Sequence, residues 1–235
     1  DKLEKDALIF MDKRKNPEIK IIDSSIKIID DLEKNIINTI KSHESINISY
    51  IPIFIENVIS PIIENYKIEH EALLNNIVSY DFEIGIINAQ NFLSSINQGN
   101  IITGDIKDEK YQEVLISLLL YSKILIDNLY SDLLKNIEKD MISIYITNKN
   151  QSNYKSANKE INTDDIPIST VLTGAIIARY INSTFNNIRN RARLIARNET
   201  NRALNHGLIM EYLKNGNIKK VKWVEVRDNK LCKHC

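Results

Sequence analysis

Arg189-Asn-Arg-Ala-Arg-Leu-Ile-Ala-Arg-Asn-Glu-Thr200, continued by Asn201, Arg202, Ala203, Asn205 and Gly207, is the stretch on which the fold turns. On an α-helix Ala192, Ala196, Glu199, Ala203 and Gly207 share one side, a strip of small residues that admits a second backbone closely. A carboxylate sits in the middle of that strip, and a buried carboxylate requires a partner. Arg202, three residues on, and Arg193, six back, are the cations within reach, so an Arg–Glu contact that locks the helix is expected. The remaining arginines admit three readings. They are a solvated helix surface, a nucleic-acid face built from Arg189, Arg191, Arg193 and Arg202, or a docking surface for a partner protein.

Around this stretch the helical pattern reaches back to Asp165-Ile-Pro167, a cap followed by proline, and forward to Leu213, with a break expected near 186–190. Asn215-Gly216 is a stop signal. Lys220 to Val226 reads as a strand, with Arg227 to Lys230 as the turn after it. Residues 167–235 are therefore expected to form a small α+β module with a long Arg-rich helix and a short strand or hairpin.

Upstream, glycine and proline are scarce and Ile and Leu recur at spacings of three and four, which predicts long helices and a mainly α chain. One helix is expected from Pro17, at a first-turn position, to Ser42, with Ile21, Ile22, Ile26, Ile29, Leu32, Ile36, Ile37 and Ile40 on its apolar stripe. Others are expected over 52–68, with a kink at Pro61, and over 70–96 and 108–146, with a loop at 97–104. Residues 147–166 are polar and aperiodic and read as a linker. The expected organisation is thus a helical bundle over 1–146, a linker over 147–166 and the module over 167–235.

A formal net charge of zero conceals a polarity along the chain. Residues 1–178 carry 18 Lys and Arg against 27 Asp and Glu, whereas residues 179–235 carry 13 against 4, so an acidic body precedes a basic module. Seven of the eight arginines lie in that module. The most apolar run, Val114 to Ile126, is interrupted by Ser117, Tyr121, Ser122 and Lys123 and falls short of the roughly 20 residues that span a bilayer, so no membrane contact is expected.

Enzyme signatures are absent from the sequence. It contains no phosphate-binding loop, zinc-protease helix, nucleophile elbow or dinucleotide fingerprint, and His43, His70, His206 and His234 are scattered. A non-enzymatic role is expected. Cys232-Lys-His-Cys235 could place two thiolates on one tetrahedral zinc, although a structural site needs a second ligand pair. Inert thiols are the other reading. Trp223, the only tryptophan, reads as an anchor of the strand region rather than a base-stacking platform.

In order, Ile195-Ala196-Arg197-Asn198-Glu199, Asn205, Gly207, Tyr212, Gly216, Trp223, Asp228 and Cys232-x-x-Cys235 resemble the head-morphogenesis domain of the Mu F-like minor head proteins of tailed bacteriophages. The likeness covers roughly residues 165–235. Asn198 stands where that family usually has Thr, and the family pattern continues past its second cysteine to a later His and Cys, so Cys232 and Cys235 would be half of a zinc knuckle in a longer protein. The resemblance implies a minor capsid component of the virion head, made in the host cytoplasm and working near the portal vertex in head assembly, DNA packaging or delivery. Its expected partners are the portal protein, other capsid proteins and packaged DNA. A DNA-binding module with an Arg-rich helix and a zinc knuckle is the alternative.

Overall fold

The computed structural model describes residues 2–43, 46–96, 108–157, 171–172 and 174–214. Within them the chain is mainly α. Helix α1 runs Lys2–Ser42, a short α2 covers Ile51–Phe54, α3 covers Ser60–Ile96, α4 covers Glu109–Ala157 and α5 covers Gly174–Lys214. Two short strands, β1 (Ile46–Asn47) and β2 (Val171–Leu172), pair antiparallel with Ile46 opposite Leu172.

Long-range pairs define the packing. His70 of α3 meets Ser25 of α1 and Tyr130 of α4, while Tyr111, Ser122 and Asp132 of α4 meet Glu211, Glu199 and Arg191 of α5 in reverse order. Consecutive long helices are therefore antiparallel, the up-down-up-down order of a four-helix bundle. Its most extensive contact is α3 with α5, and α1 and α4 flank that pair. Ile29, Leu32, Ile36 and Ile40 of α1, Val78, Phe82 and Ile86 of α3, Ile126, Leu133 and Ile137 of α4, and Ile177, Ile181 and Phe185 of α5 share one apolar core. Each such side chain contributes about 1.5–3 kcal/mol by leaving water.

Glycine permits the closeness of α3 and α5. A Cβ on Gly207 would run into the Phe82 carbonyl oxygen, one on Gly85 would run into the Leu204 carbonyl oxygen, and the two glycines face each other. Helix backbones meet there without side chains between them.

Several expectations need correction. Pro17 does not start a helix but lies inside α1, because a helix already formed on both sides absorbs the single hydrogen bond that proline cannot donate. Pro61 produces no simple kink. The turn before it widens into a π-helix over Ile55–Ile59, in which the Ser60 N–H donates to Ile55 five residues back, making room for the ring. The helices expected at 52–68 and 70–96 thereby join into one path. Residues 147–157, expected as linker, continue α4. Residues 158–166 lie outside the described residues. No break interrupts α5 at 186–190, where Phe185, Ile188 and Ala192 carry the buried face straight through.

The Arg-rich helix, expected to head a separate module, contributes to the same core as α1, α3 and α4. The strand at 220–226 and the turn at 227–230 lie outside the described residues. Over Glu109–Thr147, α4 is long and apolar enough to cross a bilayer by length and composition, which the run 114–126 taken alone did not suggest. Its inner face, with Leu118, Ile126, Leu129 and Leu133, is buried in the bundle.

Candidate functional site

Helix α5 delivers the predicted strip to the centre of the bundle. Ala192, Ala196, Glu199, Ala203 and Gly207 are all buried, and Ile195 packs partly buried against the core. Glu199 is 3% exposed, and its Oε2 lies 2.9 Å from Arg202 Nη2. The expected Arg–Glu contact is made. Arg193 is not the partner, since it is exposed and, among the described residues, donates to Asn190 at 3.5 Å.

Two groups from α4 complete this layer. Ser122 Oγ lies 2.7 Å from Glu199 Oε2 and 3.0 Å from the Leu118 carbonyl. It has one proton to give, and the carboxylate offers the stronger, charge-assisted bond. Arg202 Nη2 also donates to Leu118 O at 3.2 Å, and its guanidinium lies over the Tyr121 ring at 3.9 Å from the centroid. The cation thus ties a buried anion to the backbone and an aromatic face of the neighbouring helix. Arg202, Tyr121, Leu118 and His206 line an open groove of about 490 Å³ between α4 and α5.

About three turns beyond Glu199, Glu211, fully buried, accepts from the Tyr111 hydroxyl. Burial first, and then the Glu211 carboxylate, push the Tyr111 phenol well above its ordinary value, so it stays a donor. Lys214 Nζ, at the end of α5, lies 2.5 Å from Asp108 Oδ2 at the start of α4, and the lysine holds that carboxyl below its usual range.

The other arginines of the candidate set are distributed unevenly. Arg189 pairs with Asp30 at 2.6 Å and with Glu33 of α1, and Arg191 pairs with Asp132 of α4 at 2.8 Å. Arg193 and Arg197 are exposed on the outer face of α5, where Arg197 also makes a contact of its own. Of the four arginines considered for nucleic acid, three therefore face carboxylates of the bundle.

A second polar layer went unseen in the sequence. His70, 1% exposed, joins three helices: its Nε2 meets Ser25 Oγ of α1, and its Nδ1 lies 3.0 Å from Tyr130 Oη of α4. Tyr130 in turn reaches the Tyr66 carbonyl at 3.4 Å. A neutral ring protonated on Nδ1 satisfies every group: Ser25 donates to Nε2, Nδ1–H donates to Tyr130, and Tyr130 donates to Tyr66. Burial lowers the His70 pKa to about 4, so the ring is uncharged near neutrality. The same burial, and the nearby Glu69, raise the Tyr130 phenol. No local sequence signal marks this layer, because its partners lie 45 and 60 residues from His70.

Among the described residues no group of three or more His, Cys, Asp or Glu side chains is arranged to hold a metal ion. Trp223, Asp228, Cys232 and Cys235 lie outside the described residues, so the zinc expectation rests on the cysteine spacing and the family resemblance. Comparison with protein-family models, curated proteins and solved structures gives no match to this chain.

Proposed function

We propose that this chain is a minor head protein of a tailed bacteriophage or prophage, acting near the portal vertex in head assembly, DNA packaging or delivery. The observation that carries the reading is the ordered motif from Ile195 to Cys235, with Ala196, Arg197, Glu199, Gly207, Trp223 and Asp228 in sequence. The geometry supports it in one respect. The motif residues within α5 do structural work, since Ala196 is buried in the bundle, Gly207 admits the α3 backbone and Glu199 is locked by Arg202 and Ser122. Such a motif describes a helix built to hold a shape against partners rather than a reactive centre.

Its partners on this reading are the portal protein and other capsid proteins, with packaged DNA within reach of the exposed Arg193 and Arg197. The site of action is the virion head after assembly in the host cytoplasm. In a longer protein, Cys232 and Cys235 would contribute two thiolates to a zinc knuckle. The pairing of Arg189, Arg191 and Arg202 with carboxylates favours this scaffold role over a dedicated DNA-binding module.

Co-expression with a portal protein from the same genome tests the reading. The chain is expected to co-purify with portal rings or proheads, and a chain that remains separate from both would sink the proposal. For the alternative, Arg191→Glu and Arg193→Glu should weaken duplex binding and flatten its salt dependence, and binding indifferent to both would exclude it.

A further inference from the structure

On the outer side of α4, Ile116, Leu120 and Ile124 are 55%, 59% and 54% exposed, with Tyr121 beside them at 46%. Spacing by four places the three aliphatic side chains in one stripe along the helix. A contiguous apolar stripe of this kind marks a surface that something covers. Its surroundings are acidic: Glu109 and Glu113 precede or flank it, while Lys123, one of the two cations on this stretch, is taken by Glu71 at 2.9 Å and Asp127, which follows the stripe, is paired with Lys67 at 3.2 Å.

The end of α5 lies at the head of the same helix. Lys214 Nζ is held 2.5 Å from Asp108 Oδ2, so α5 ends beside the first turn of α4, about two turns from Ile116. A further 21 residues follow, with six Lys and Arg against two Asp and Glu, and with Ile218, Val221, Trp223 and Val226 among them. Their charge and apolar content complement the stripe.

We propose that residues 218–226 return along α4 and cover Ile116, Leu120 and Ile124, with their lysines set against Glu109 and Glu113. The reach is ample: the stripe is about 12 Å long on a helix, and nine extended residues span up to about 30 Å. Docking therefore joins the basic end of the chain to its acidic body within one molecule. It stands independently of the head-protein reading.

Trp223 is the only tryptophan, so its fluorescence in the intact chain reports on this segment alone. The expected emission is blue-shifted and weakly quenched by acrylamide. Leu120→Asp combined with Ile124→Asp, both at exposed positions, should shift it to the red and raise quenching several-fold while the helical circular dichroism is unchanged. Ile68→Asp, at an exposed position on α3, should alter neither. The proposal is overturned if wild-type Trp223 already emits as a solvent-exposed indole, or if the double substitution leaves its emission unchanged. It is equally overturned if that substitution instead dissolves a dimer, or abolishes binding to phosphatidylcholine–phosphatidylglycerol vesicles, without moving the tryptophan signal.

Discussion

Two of the buried polar layers in the bundle differ in charge. Around Glu199 the interior holds a carboxylate, a guanidinium and a serine hydroxyl, joined across α4 and α5. Around His70 it holds only neutral groups, an imidazole between two hydroxyls, joined across α1, α3 and α4. The first layer depends on having both ions present, whereas the second depends on having no ion at all. One should therefore fail when a partner is removed and the other when a proton is added.

The largest effect is expected from removing a single ion. Arg202→Met leaves Glu199 buried with Ser122 as its remaining partner and should cost about 3–5 kcal/mol in urea unfolding. Glu199→Leu combined with Arg202→Met should recover most of that loss, because the pair as a unit is worth little more than a well-packed apolar replacement. A double variant as unstable as the single one would show that the layer is not organised around its charges.

Acid should act on the other layer. The folded pKa of His70 is about 4 and its ordinary value 6.5, so between these limits the unfolded chain binds the extra proton. The stability contributed by a neutral His70 is complete above pH 6.5 and is lost as pH falls through 4, in total about 3 kcal/mol. His70→Gln should remove this part of the pH dependence while lowering stability at pH 7. An unaltered acid profile in the variant would assign the sensitivity to other groups.

A smaller loss is expected at the glycine contact between α3 and α5. Gly207→Ala gains about 1 kcal/mol of helix propensity, yet its methyl must displace the Phe82 carbonyl, and overpacking of this kind costs about 1–3 kcal/mol. A net destabilisation of up to about 2 kcal/mol is expected by thermal or urea unfolding, and a stabilised variant would show that the helices do not meet backbone to backbone. The smallest effect belongs to Arg191→Ala. That arginine and Asp132 are both more than 40% exposed, and its loss should cost less than about 1 kcal/mol and vanish in high salt.

The two layers also differ in how far they could be read in advance. The strip Ala192 to Gly207 and the Glu199–Arg202 contact were legible because they obey helical spacing within one segment, and a carboxylate amid small residues demands a nearby cation. His70 was not legible, because Ser25 and Tyr130 come from other helices and nothing in their local sequence announces a shared interior. Gly207 was visible as a small residue, but its counterpart Gly85 was identifiable only from the packing. The polar end of α4 was misjudged for a related reason: residues 147–157 keep a helix without an apolar stripe, so periodicity had nothing to report. The fate of Arg189 and Arg191 turned on acids more than 50 residues away, and a count of charges along the chain could not supply it.

The head-protein proposal is tested most directly by mass spectrometry of purified particles induced from the strain that encodes the chain. The protein should be recovered in mature virions, in few copies relative to the major capsid protein and together with the portal. Its absence from both proheads and virions, with the portal present in the same samples, would contradict the account.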